Sequence, residues 1–577
     1  MAVSESYVTA PPARFSSAYS TVPRWVGALA AFACLLLVGA KVLLIWRINV
    51  NWDEFYFLSH VHSLLRGDLA FVLQTAYTHL FVWLPALGNE MAQVIGGRCV
   101  MVLGLALTAW LIWKLASRWV SREAAVIAPL SYLVTWHVLR HGASFRADSL
   151  LAPLTLGVLC FLTQPGLRNR SLAAAAACFG LSVAVTAKAV LLAPLIVLMV
   201  ILHPPASAGS LGSRMLGGVR QLILFGVIAA GTAGLALLLH RLSLTVPDIA
   251  NGQTVSSLAR KTLLEVPFLP RPQPLLTSWY EDRLVWLLIV SGAVASLFRR
   301  QYQALACIVS LSPVLFYRNA FPYYYIVMFA PACVLAALAV DFLRAHVERS
   351  RGVKIAALLP ALVIVVLAAQ GARQVGALRE DEQVGERATI AAVHQIFPQP
   401  VPYIDHSGMM ASFVKVNFFM STWGVENYRA RGVGFMQEAL ERYRPPLLLV
   451  NHGVLNPDAG KRLLAQDQQL LRDSYVQYWG PIRVAGKAMV LSPGAQTVAH
   501  LPFAGRYRIE SEQPILVDGV SRAQNDVITL AENDTDVTLR QAQESGSSLK
   551  VRLVWADAGP PPDAAFVPST ASLYTSL

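Results

Sequence analysis

Two adjacent carboxylates, Asp53 and Glu54, stand in the stretch Asn51-Trp52-Asp53-Glu54, just beyond an apolar run at 25–46 that is long enough to cross a bilayer. An acid pair is costly inside the hydrocarbon and tolerable at its edge. There it could hold a hard cation through its oxygens or take the proton of a hydroxyl. The plainer alternative is that both acids open a surface helix, because acids favour a helix's first turn. A partner segment, Phe145-Arg146-Ala147-Asp148, pairs a cation with an acid two positions on, and a structural ion pair would explain it equally. His60 and His62 lie two apart, so on a helix they face different sides; both read as interfacial residues.

These residues need a frame, and the apolar runs provide it. Of 577 residues, 55% are hydrophobic and 14% charged, the composition of a polytopic α-helical membrane protein with a soluble part attached. Acids are scarce up to Ala372 and frequent after it, so a transmembrane domain, 25–372, gives way to a tail from 373. About eleven spans are expected, at 25–46, 98–117, 123–140, 148–163, 171–187, 189–203, 221–240, 284–298, 302–317, 322–343 and 354–372. With the N-terminus inside, each short inner loop carries at least two basic residues, such as Arg118 with Arg122 and Arg299 with Arg300, which agrees with the positive-inside rule. The tail then lies outside. Asp53, Glu54, Asp68, Glu90, Asp148 and Asp282 gather on that outer side, where a pore or proton relay would scatter them through mid-membrane.

Residues 1–24 read as a disordered cytoplasmic lead with no cleavable signal peptide. The outer loop 47–97 holds two amphipathic stretches, expected as helices lying along the membrane surface. In the first, Phe55, Leu58, Val61, Leu64 and Leu65 recur at helical spacing up to Gly67-Asp68; the second covers 71–95. A second outer loop, 241–283, carries Arg260, Lys261 and Arg271; anchoring to anionic lipid is an alternative use of these cations. The six cysteines fall in apolar runs and form neither a metal pattern nor a disulfide framework.

The tail divides again. Residues 373–494 alternate helices (381–396, 436–444, 461–472) with strands (401–404, 447–450, 475–479, 483–491), predicting a periplasmic α/β domain. Residues 495–577 hold short strands at 507–509, 515–517, 527–530, 537–539 and 549–554, predicting a small β-sandwich, with a flexible end from 560. No P-loop, Rossmann glycine fingerprint, HExxH or GxSxG is present, and no nucleic-acid partner is expected.

Taken in order, the acid pair after the first span, the surface helices, Thr186-Ala187-Lys188 and Phe321-Pro322-Tyr323-Tyr324-Tyr325 resemble the membrane glycosyltransferases of the C superfamily. The likeness is to the protein O-mannosyltransferase and aminoarabinose transferase branch and covers about 25–345. It implies a sugar taken from a polyprenyl phosphate on the outer side of a bacterial inner membrane and passed to a glycolipid, glycan or protein. Asp53 matches the family's first outer-loop acid, base or metal-side carboxylate, with Glu54 beside it. Arg146 and Asp148 match an Arg-x-Asp segment, and Arg98 matches the Arg that opens the second span. Where the family has Lys-Pro or Glu-Pro, this chain has His79-Leu80, with Glu90 as the nearest acid.

For such a donor, phosphate is the leaving group. Asp53 suits the base, and Arg98, Arg146, Lys188, Arg260, Lys261 and Arg271 suit the departing phosphate. Asp53, Glu54 and Asp148 could hold Mg or Mn. His79, Glu90, Tyr323 and Tyr324 are the expected substrate contacts. Snorkelling would explain Lys188 and an aromatic belt the tyrosines. A transporter or flippase needs mid-membrane ionisable groups and inverted repeats; a sugar-binding scaffold would act through the tail instead.

Overall fold

The computed structural model describes residues 22–202, 211–245, 265–459, 462–532, 535–543, 547–563, 566–569 and 573–574. The polar lead before residue 22, and Arg260 and Lys261, lie outside them. Each expected apolar run coincides with a helix or with a string of short ones. Among the described residues, four helices are long and apolar enough to cross a membrane: α1 (Arg24–Leu44), α3 (Glu90–Ala116), Leu216–Leu242 and Val353–Ala377. A fifth is reached if Pro322–Ala332 and Val334–Arg351, bent by 42°, are counted together. The other runs are shorter or broken, for physical reasons: Pro313 divides the run at 302–317, and Pro331 sits next to the bend. The start of the Val334–Arg351 helix, with the segment before it, lies inside the bundle. Residues 323–340 are all buried, and Gly292 of the Arg283–Phe298 helix lies against the Leu335 backbone with no room for a Cβ.

α2 (Trp52–Arg66) carries the acid pair. Asn51 caps it: its side-chain oxygen accepts from the Asp53 amide at 2.9 Å, and the Glu54 carboxylate accepts from the Asn51 amide at 3.0 Å. This reciprocal capping box uses Glu54 as a helix-starting residue. Gly67, at φ 77°, closes the helix. The sequence reading expected this apolar face to lie on the membrane surface; instead most of it packs inside the protein, and Leu65 at its far end is exposed. Phe55, Leu58 and Val61 are fully buried in one cluster with Tyr403, Met410, Phe413 and Leu447 of the tail. The second surface helix is replaced by two 3-10 turns, Ala76–Phe81 and Leu84–Leu87, followed by an early start of α3 at Glu90. Pro85 and Gly88, the latter at φ 106°, interrupt any continuous helix there.

The tail is one continuous sheet plus a smaller one. β1 (Pro402–Ile404) lies parallel between β2 (Val414–Lys415) and β3 (Leu447–Leu449). The long β5 (Ile482–Leu491) pairs first with β3 and β4 (Tyr475–Trp479), then with β12 (Leu549–Trp555). Beyond β12 come β7 (Gly505–Ser511) and β10 (Val527–Leu530). The sheet therefore runs across the expected boundary near 494, because β5 pairs with strands from both sides of it. The second sheet runs β6 (Thr497–His500), β11 (Asp536–Gln541), β8 (Ile515–Val517), β9 (Val520–Arg522). Tyr507, Val551, Val537 and Leu539 share one core between the two sheets. The end expected to be flexible doubles back: Tyr574 is 5% exposed, donates to or accepts from Ser407 Oγ at 2.8 Å, and lies edge-on to Trp52.

Candidate active site

The two adjacent acids point to different places. Glu54 is fully buried and clasped by Arg98, Nε to Oε2 at 2.8 Å and Nη2 to Oε1 at 2.6 Å. The Phe145 amide donates to the same carboxylate at 2.7 Å. Arg98 also donates to the carbonyls of Ile45, Ile48 and Asn49 at 2.8–2.9 Å, which satisfies the end of α1. One ion pair thus joins the exit of α1, the start of α2, α3 and the segment that leads into Arg146. Burial works to raise the Glu54 carboxyl, but the charge and hydrogen bonds of Arg98, with the Phe145 and Asn51 amides, hold it below the usual range.

Asp53 turns instead toward Arg146, which it contacts directly. Arg146 also donates to Asp148 at 3.0 Å, and Lys188 donates to Asp148 at 3.1 Å. Two anions and two cations alternate along this string. Its middle members are sealed, with Arg146 2% and Asp148 0% exposed, while its ends, Asp53 at 15% and Lys188 at 20%, reach solvent. Tyr323 lies under the Arg146 guanidinium at 3.5 Å and Tyr324 under the Lys188 ammonium at 4.6 Å. Both tyrosines are buried against these cations.

The string opens on a cleft of ≈ 1250 Å³ walled by α2, residues 71–75, the 319–324 segment and tail residues between 418 and 438. Asp53, Arg146, Lys188, Tyr323 and Tyr324 all line it, whereas Glu54, Arg98 and Asp148 stand behind the wall. The remaining candidates brace its surroundings. His79 pairs with His240 at 3.0 Å, tying a 3-10 turn to the Leu211–Leu242 helix. Glu90 accepts from the Ser412 amide at 3.1 Å and is bonded to His394 Nε2 at 2.8 Å, tying α3 to the tail. Arg271 donates to the Arg318 carbonyl at 2.9 Å and stacks over Phe321.

A cation between Asp53 and Glu54 does not fit this arrangement. The oxygens of Glu54 are taken by Arg98, Asn51 and Phe145, and Asp53 and Asp148 are matched by Arg146 and Lys188. Among the described residues, no three His, Cys, Asp or Glu side chains gather as metal ligands. Other residues at the cleft had a weaker signal in the sequence or none. Tyr56 and His60 follow Asp53 at helical spacing and could have been found that way. Burial pushes the His60 imidazole down to about 4, so it is neutral at physiological pH. Phe419 and Trp423 come from the tail, and nothing in linear order announces them.

No protein-family model and no curated protein matches the sequence. Solved structures do match in shape. ArnT from Cupriavidus metallidurans bound to undecaprenyl phosphate is 16% identical, with a TM-score of 0.51 over 74% of this chain and 93% of that one. The apo form of that protein gives 15% identity and a TM-score of 0.51, covering 80% and 97%. The Archaeoglobus fulgidus oligosaccharyltransferase is similar at 13% identity and a TM-score of 0.47, covering 87% and 74%. By the first two of these likenesses, this chain shares the fold of the ArnT structures.

Proposed function

We propose that the protein is an inverting glycosyltransferase that moves a sugar from a polyprenyl-phosphate donor to an acceptor hydroxyl on the periplasmic face of a bacterial inner membrane. The convergence of Asp53, Arg146 and Lys188 on one cleft carries the reading. The shared fold with ArnT, whose structure contains undecaprenyl phosphate, supports the donor class. In this reading the donor phosphate lies against Lys188 and Arg146, whose charges it shares with Asp148 and Asp53. Asp53 takes the acceptor's hydroxyl proton as that oxygen bonds to the sugar's anomeric carbon. The bond from that carbon to the phosphate oxygen breaks, and its electron pair leaves with the phosphate, stabilised by the two cations. A single displacement inverts the anomeric centre, and every step is carried by side chains of this chain. The test is incubation of purified full-length protein with a panel of polyprenyl-phosphate sugars and membrane extracts, with mass spectrometry of the products. A sugar transferred in inverted configuration is the expected result; donors left intact in every combination would overturn the reading.

A further inference from the structure

We infer that the acceptor is recognised as a carbohydrate, seated between α2 and the Trp423 wall of the tail; this rests on the reading of Asp53 as the base that receives the acceptor's proton. Asp53, Tyr56 and His60 follow one another along one face of α2 and all line the cleft. Tyr56 stacks on Phe419 at 3.8 Å with planes 8° apart, which joins the helix to the tail beside the base. Trp423 is half-buried; its indole N–H donates to Asn319 Oδ1 at 3.2 Å, and the Arg318 guanidinium sits 4.4 Å from its ring. The ring is therefore fixed by both domains before any ligand arrives, which lowers the entropy cost of binding.

His60 supplies the second observation. It is 7% exposed and lines the cleft, yet its Nε2 has no hydrogen-bond partner. A buried polar atom left unpaired is expensive and is explained by a ligand that completes it. Flat rings beside an imidazole and the Asn427 amide match a sugar, which offers a C–H face to the rings and hydroxyls to the polar groups. Other acceptors fit less well. A lipid chain needs an aliphatic groove, and Val72, Leu73 and Val433 are the only aliphatic side chains in a lining otherwise of ring-bearing, polar and glycine residues. A peptide held as an added strand needs a strand edge, and no described strand lines the cleft.

The test uses fluorescently labelled full-length protein in nanodiscs containing decaprenyl phosphate, applied to an array of bacterial envelope oligosaccharides, a tryptic peptide pool and phospholipid spots. Oligosaccharide spots should be bound. Trp423→Ala and His60→Phe should each weaken that binding about tenfold, Trp423→Tyr should restore most of it, and decaprenyl phosphate binding should stay at the wild-type level throughout. If Trp423→Ala fails to fold, the Trp423→Tyr and His60→Phe pair decides. Binding confined to peptides or lipid, no binding to any spot, or oligosaccharide binding indifferent to His60→Phe and Trp423→Ala would overturn the inference. Oligosaccharide binding without any sugar transfer would leave this subsite standing and remove the transferase reading instead.

Discussion

Asp53 and Glu54 are neighbours in sequence with opposite fates, and a single-atom change at each should separate them. Asp53→Asn removes a base and leaves Arg146 with Asp148 as its anionic partner. Transfer should fall by about 100-fold or more, while binding of decaprenyl phosphate, measured by isothermal titration, should be retained. Retained transfer would dismiss Asp53 as the base. Glu54→Gln acts on folding. It leaves Arg98, whose side chain is 3% exposed, without its counter-charge, and stripping one partner from a buried pair costs about 3 kcal/mol or more. The detergent-solubilised variant should melt well below wild type, while correctly folded molecules should still bind decaprenyl phosphate. The sequence made the acid pair visible but gave no way to divide its roles. An N3 glutamate that caps its own helix looks the same on paper as a metal carboxylate until Arg98 arrives from 44 positions away.

At the level of elements, the tail is fastened to the membrane domain by α2, whose apolar face it covers, and by the Glu90 bond to His394 and Ser412. The hydrogen bond to Glu90 raises the His394 imidazole above its ordinary 6.5, with burial working the other way. Its protonated form is therefore favoured in the folded protein, and the stabilisation is complete below about pH 6.5 and lost as pH rises through the raised value. Thermal melts of wild type and His394→Gln should differ most near pH 6 and converge toward pH 8.5; a constant gap would show that the link does not depend on charge. Periodicity made most elements legible. β4, β8 and β10 fall at the expected residues, because short β-branched and aromatic runs between turn residues are strong local signals. The Thr422–Arg431 helix escaped notice because it has almost no amphipathic pattern to read. The destination of an apolar face was equally unreadable: the 55-58-61 stripe says that α2 must be covered, and both lipid and tail satisfy it.

For the whole molecule, the cleft belongs to neither domain alone. Asp53, Arg146 and Lys188 come from the membrane part and much of its aromatic wall from the tail, so domain docking and site assembly are one event. Tyr574 reports on that event. Its ring is nearly sealed, and its hydroxyl contacts Ser407 and Asn451 of the tail while its ring meets Trp52 of α2. Tyr574→Ala should cost about 3 kcal/mol and expose α2 to limited proteolysis; an unchanged digestion pattern would show that the segment merely rests on the surface.

The bond from Asn49 to the Leu573 carbonyl joins positions 524 apart. A ribosome adding about 5–20 residues per second therefore emits the α2 segment roughly half a minute or more before its last partner exists. Until residues 403–447 are made, an amphipathic helix with an uncovered greasy side waits at the translocation site. The bilayer edge offers it temporary shelter, and nascent chains halted before residue 403 should be found clinging there in a form that salt washes cannot strip.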